Sequence, residues 1–221
     1  MDLFLIRHLE SEKNVVPMFS SAENNERLTD RGLDNAKQLA YHLNQIIQKN
    51  GYVIKNIYVA NSERCIQSCS SFAKQINVNI LYYDNLLPAD KAGLSGITER
   101  EANDLFPSYM KTYEMYRHGL YNFYNIDTIG KECKPEYERR VLSCLNDILS
   151  VKGENAKFVF LHRSSMTPIL LYFARSYYGY PVDFYGYAPV DLNCIYALRS
   201  SGSRWDYIAL NCPYWELQEK I

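Results

Sequence analysis

No apolar run in this sequence approaches the roughly 20 residues a helix needs to cross a bilayer, so no membrane span is expected. No basic segment followed by an apolar core opens the chain, so nothing signals secretion. A charge bias is missing too. Twenty-four Lys and Arg stand against 25 Asp and Glu, a formal net charge of −1, which offers no general attraction to nucleic acid or to an anionic membrane surface. Cysteine is present but nowhere dense. Cys65, Cys69, Cys133, Cys144, Cys194 and Cys212 are scattered over 221 residues, form no disulfide framework, and read as reduced thiols of a cytoplasmic protein. Cys65 and Cys69 fall four apart on an expected helix, but no second pair of ligands accompanies them. Buried thiols are the better reading, and no metal site is expected. There is also no internal repeat, low-complexity tract or linker, so a single domain is expected over residues 1–221.

What the chain does contain is an alternation. Short apolar or β-branched runs occur at LFLIR (3–7), NIYVA (56–60), NILYY (79–83), KFVFL (157–161), CIYAL (194–198) and DYIAL (206–210). Helical patterns lie between them. LTDRGLDNAKQLAYHLNQIIQ places Leu33, Ala36, Leu39, Ala40, Leu43 and Ile46 on one face, with Thr29 or Asp30 as its cap. SERCIQSCSSFAKQI, KPEYERRVLSCLNDIL and TPILLYFARSYY give three more helices. Strand and helix in alternation predict an α/β fold, a three-layer α/β/α sandwich around a mostly parallel sheet. The last two strands, split by SSGSRW, form an antiparallel hairpin on it. Residues 86–130 interrupt the pattern with a Tyr-rich helical stretch, a candidate cap in which Tyr109, Tyr113 and Tyr116 fall at helical spacing.

Ligands of such sheets sit beyond the carboxyl ends of the strands. There the first strand ends in Arg7-His8, the second leads into Ser62-Glu63-Arg64, and the fourth ends in His162-Arg163-Ser164. Guanidinium groups, imidazoles and helix N-termini at one sheet edge suit a phosphate or sulfate. Two histidines suggest chemistry as well as binding, because imidazole is nucleophilic and titrates near neutrality. Taken singly, each residue has a plainer reading: a solvated strand end for Arg7-His8, a surface ion pair for Arg64, a core histidine for His162. Their coincidence at equivalent strand ends favours a site.

LIRHLESEKN resembles the Arg-His-Gly-x-Ser-x-x-Asn signature of the histidine phosphatase superfamily, which includes the cofactor-dependent phosphoglycerate mutases. LTDRGLDNAKQLAYHL, ANSERCIQSC, GKEC with RRV, and FLHRSSMTPIL resemble further segments of that family in its order. The resemblance implies that His8 is the phosphorylated nucleophile and that Arg7 and Arg64 grip the phosphoryl oxygens. It further implies that His162 stabilises the transferring group and that Asn14 contacts phosphate, although Asn14 reads equally well as a turn residue. Arg163, with Lys91 and Arg117, would add anion contacts. No cofactor is implied. The substrate class would be a small phosphorylated metabolite, with a phosphoprotein as the second option. No nucleic-acid or membrane partner is expected, and nothing sets an oligomeric state.

Two departures from the family pattern stand out. Leu9 follows the nucleophile where the family usually has glycine, and is expected to narrow the pocket or tilt its loop. In LLPADKAGLSGIT, Pro88 falls where the family carries its general acid, and proline has no proton to give. Asp90, two residues on, is the candidate acid. Glu101 competes, but Thr98-x-x-Glu101 also reads as a capping box. The favoured reading is a metal-independent phosphomonoesterase acting through a phosphohistidine on His8; the alternatives are a mutase-type phosphotransferase and a catalytically weak protein that binds a phosphorylated ligand.

Overall fold

The computed structural model describes residues 1–20, 25–89, 92–117, 132–180 and 189–221. Strands β1 (Asp2–Arg7), β2 (Asn56–Ala60), β3 (Asn79–Tyr83), β4 (Ala156–Leu161), β5 (Cys194–Ser201) and β6 (Arg204–Pro213) form one sheet in the order β3-β2-β4-β1-β5-β6. The β1–β4, β2–β4 and β2–β3 pairings are parallel, and β5 runs antiparallel to both its neighbours. β1 and β4, in the middle, are buried along their whole length, which is why their sequences read as continuous apolar runs without alternation.

The helices are α1 (Glu12–Val15), α2 (Asp30–Asn50), α3 (Glu63–Ile76), α4 (Glu99–Leu105), α5 (Pro107–Arg117), α6 (Lys134–Ser150), α7 (Arg163–Tyr178) and α8 (Leu217–Lys220). The parallel crossovers through α2 and α3 step one way along the sheet, and the one from β3 to β4 through α6 steps back. Right-handed crossovers therefore place α6 on the face opposite α2 and α3. α2 packs on α3 and α6 on α7, giving the three layers. Between sheet and α3, Phe158 meets Phe72 at 5.1 Å between centroids and stacks on Phe4 of β1 at 4.4 Å.

Thr29, not Asp30, caps α2: its hydroxyl accepts from the Gly32 N–H at 3.0 Å. The buried face of α2 runs through Gly32, Ala36, Leu39, Ala40, Leu43 and Ile46. Leu33 does not belong to it. Gly32 takes the contact position, and Leu33, one residue round the helix, is 38% exposed.

A second, smaller apolar cluster lies apart from the main core. Phe19, Leu94, Ala102, Met110 and Tyr113 form it, with Ile97, Phe106 and Tyr109 against them. α4 and α5 thereby pack on the chain that follows α1, which is stitched to them by Phe19 N–H to Ile97 O (2.9 Å) and Glu99 N–H to Pro17 O (3.0 Å). Tyr109 stacks on Tyr113. The Tyr116 side chain and residues 118–130 of the expected cap lie outside the described residues.

Candidate active site

Register explains why distant residues meet. Arg7 is paired with Leu161 in the parallel β1–β4 ladder, so the next residue of each strand is a histidine at the same level. The His8 N–H donates to Leu161 O at 3.0 Å, and the two imidazoles touch edge to face with centroids 5.3 Å apart. β2 joins β4 with Val59 opposite Phe160, which delivers Ser62 and Arg64 to the same edge. His162 is the N-cap of α7 and Ser62 the N-cap of α3. The Ser62 hydroxyl lies 3.2 Å from His162 Nε2, so two helix N-termini converge where anions are favoured.

His8 is 3% exposed, and its Nδ1 lies 2.9 Å from the Leu9 carbonyl oxygen. A carbonyl only accepts, so Nδ1 carries the proton and Nε2 presents its lone pair. Burial first, then the charges of Arg64 and Arg7, hold the His8 pKa well below its ordinary value. The same causes, with Arg64 the nearest charge, depress His162. Both rings are therefore neutral at pH 7, as a nitrogen nucleophile requires.

Arg64 is fully buried. Its Nη2 lies 3.2 Å from His162 Nδ1 and donates to the Ser20 hydroxyl at 3.2 Å, while Nη1 meets Glu26 Oε2 at 2.5 Å. Because a guanidinium only donates, His162 Nδ1 is an acceptor and its Nε2–H faces Ser62. Arg7 Nη1 and Arg163 Nε both donate to Val190 O, at 2.8 and 3.3 Å. Lys13 donates to Ser20 at 2.7 Å, adding a cation whose charge acts on both imidazoles. The edge thus gathers Arg7, His8, Lys13, Arg64, His162 and Arg163.

The expectation that Leu9 narrows the pocket is corrected. Its side chain is 1% exposed and sits in the main core, and its N–H donates to Ser68 Oγ at 3.0 Å. Ser68 in turn donates to the Arg64 carbonyl at 2.7 Å, so α3 holds both the loop after His8 and the guanidinium. Asn14 serves its turn: Oδ1 accepts from the Ser11 N–H and hydroxyl at 3.0 and 2.8 Å, which leaves only its amide donors for an anion. Glu101 is spent on the capping box with Thr98 at 2.7 Å. Asp90, Lys91 and the Arg117 side chain lie outside the described residues. The chain just before Asp90 is anchored: Arg140 donates to the Asp84 and Leu87 carbonyls at 3.3 Å and pairs two-pronged with Glu132 at 2.7 and 2.8 Å. Among the described residues no group of three or more His, Cys, Asp or Glu is placed to hold a metal ion.

The histidine phosphatase superfamily (branch 1) profile matches residues 3–213. The chain belongs to the histidine phosphatase superfamily. Solved structures agree on the fold. The mycobacterial glucosyl-3-phosphoglycerate phosphatase superposes with a TM-score of 0.76 at 13% identity, covering 96% of this chain and 98% of that one. The alpha-ribazole phosphatase of Shigella flexneri gives 0.75 at 18% identity, with 96% and 97% covered. A histidine-to-alanine phosphoserine phosphatase of Entamoeba histolytica, in complex with phosphoserine, gives 0.67 at 16% identity, with 95% and 96% covered. No curated protein sequence matches. Sequence motifs of this histidine phosphatase pointed to Arg7, His8, Arg64 and His162; they gave no signal for Lys13, Ser20, Glu26 or the Val190 carbonyl. Ser20 and Glu26 come from irregular chain, and a main-chain oxygen carries no residue signature.

Proposed function

We propose that this chain hydrolyses phosphomonoesters without a metal ion, through a phosphohistidine on His8. The observation that carries the reading is the orientation and state of His8: neutral, with Nδ1 fixed on the Leu9 carbonyl and Nε2 free to attack beside two guanidiniums. Attack forms the N–P bond as the ester P–O bond breaks. Arg7, Arg64 and His162 spread the charge that grows on the equatorial oxygens, with Asn14 and Arg163 as further phosphate contacts. Water then attacks phosphorus, the N–P bond breaks, and inorganic phosphate leaves. Since the two rings touch, the anion rests on their common rim. The cap expected over about 86–130 would select the leaving group, and a small organic phosphate is favoured over a phosphoprotein.

The test is phosphate release from a panel of phosphorylated metabolites, with His8→Ala as control. Release that vanishes in His8→Ala and survives EDTA supports the reading; an EDTA-sensitive activity overturns it. Pro88 keeps two other readings in view. An isomerised product that needs a bisphosphate primer would mark a mutase, and phosphate binding without turnover of any ester would mark a sensor.

A further inference from the structure

Phosphoryl transfer to His8 leaves an alkoxide unless a proton reaches the departing oxygen, and Pro88 offers none. A different carboxyl group lies inside the pocket. Glu26, 8% exposed, reaches in from the irregular chain between α1 and α2 and meets Arg64 Nη1 at 2.5 Å. That chain is pinned across α1 by the Glu12 N–H to Arg27 O bond at 3.0 Å and by the Ser11–Leu28 bridge, so Glu26 is held in place. We propose that Glu26 is the proton donor to the leaving group, charged by the substrate's own arrival at Arg64. The proposal rests on the phosphatase reading of the same site.

The argument starts from how Arg64 is occupied. One terminal nitrogen holds Glu26 and the other holds His162 and Ser20; only Nε, buried, is without a partner among the described residues. A phosphoryl dianion gripped end-on by both terminal nitrogens takes the place Glu26 holds on Nη1 and displaces it. In the free enzyme the Glu26 carboxylate is paired with that cation. Once displaced, the carboxylate loses that cation and faces a dianion instead, and both changes favour its protonated form. Near it stand Arg64 from α3 and, through the shared Ser20 hydroxyl, Lys13 from α1, with His162 at the head of α7 on the other terminal nitrogen of Arg64.

Glu26 and His162 sit on opposite terminal nitrogens of one guanidinium, and His162 is in contact with His8. In the proposed complex His8 attacks from the His162 side of the phosphoryl group and the displaced Glu26 stands on the other, where an in-line leaving group departs. In the first step the His8 Nε2–P bond forms, the P–O bond breaks, and the Glu26 proton passes to the departing oxygen. In the second, the Glu26 carboxylate takes a proton from the attacking water as the N–P bond breaks, and inorganic phosphate is released.

The test uses the full chain with Glu26→Gln, beside Asp90→Asn and His8→Ala. General-acid assistance is typically worth ~10²–10⁴-fold and matters most for poor leaving groups. Glu26→Gln is expected to slow an alkyl phosphate at least ~100-fold while leaving nitrophenyl phosphate within a small factor of the parent. Inorganic phosphate should inhibit the variant more tightly, because no carboxylate competes for Arg64. Calorimetry in two buffers of different ionisation enthalpy should show that phosphate binding takes up one proton fewer in the variant than in the parent. Equal slowing of both substrates with weaker phosphate binding would mean Glu26 only positions Arg64, and would overturn the proposal. So would unchanged rates on both, or the selective loss appearing in Asp90→Asn instead. Should Glu26→Gln fail to fold, the parent decides: no proton uptake on phosphate binding refutes the donor role. Activity that survives His8→Ala refutes the phosphohistidine reading itself, a separate failure.

Discussion

Gly32→Ala offers a direct test of how His8, the proposed nucleophile, is held. Gly32 lies in the first turn of α2, directly over the Glu10 carbonyl, two residues past His8. A Cβ built there would overlap the Glu10 carbonyl oxygen, closer than real Cβ contacts come, and would lie 3.1 Å from the Glu10 carbon and 3.2 Å from Leu28 Cβ. All three are main-chain or Cβ positions, so no flexible side-chain end can yield. Restoring ordinary contact requires α2 and Glu10 to part by about 1 Å. The helix gains about 1 kcal/mol from alanine's propensity. Against that stand ~1–3 kcal/mol of overpacking and ~1 kcal/mol for each weakened bond of Thr29 to Glu10, N–H to O at 3.1 Å and Oγ1–H to Oε1 at 2.8 Å. The expected net loss is ~2–4 kcal/mol, read as a lower urea midpoint at unchanged m-value. Because Glu10 leads straight into the nucleophile's loop, kcat on nitrophenyl phosphate should fall by about 10²-fold. A variant stabilised by about 1 kcal/mol, with unchanged kcat, would show that propensity alone governs the site and that the close approach is not real.

Three further outcomes are expected. Lys157→Met should cost ~3–5 kcal/mol, because it removes the counter-ion 2.7 Å from the buried Glu154 carboxylate and leaves it only the Tyr58 hydroxyl and the Lys55 and Asn56 N–H groups, and adding Glu154→Gln should recover part of that loss in a thermal or urea melt. Ser68→Ala should leave the buried Leu9 N–H without its acceptor, costing ~1–3 kcal/mol, and should lower kcat for both good and poor leaving groups; unchanged kcat would detach Ser68 from the nucleophile's loop. Since burial and the neighbouring arginines depress His8 and His162 in the folded state, the unfolded chain binds more protons below its histidine pKa of ~6.5. Stability must then rise with pH up to about 6.5 and fall on acidification, by as much as ~1.4 kcal/mol per pH unit for each histidine. Replacing His162 by Asn should flatten that slope by its share in urea melts across pH 5–7.

The strands show why some features are legible in sequence. A central parallel strand must be apolar on both faces, so LFLIR and KFVFL announce β1 and β4 from composition alone, and the observed bounds differ from the expected ones by a residue. Arg7 at the end of β1, and His8 and His162 just past β1 and β4, were legible because a polar group at the end of a buried strand has to face something. Leu33 was misplaced because periodicity counts apolar residues, whereas the true contact face is set by how closely α2 approaches Glu10, which Gly32 allows. Leu9 pointed to the pocket from its motif position and went to the core instead, because its side chain is free to choose the apolar side once Ser68 holds its N–H.

By itself, then, the chain's local chemistry determined the sheet, its layers and the two histidine-bearing strand ends, since each of these depends on a few neighbouring residues meeting water or avoiding it. The tertiary structure alone decided that Glu26, Ser20 and Lys13 share Arg64's surroundings, and that one carbonyl at Val190 steadies Arg7 and Arg163 together. Such contacts join irregular segments tens of residues apart, and their energies depend on mutual distance in space, which no local pattern encodes.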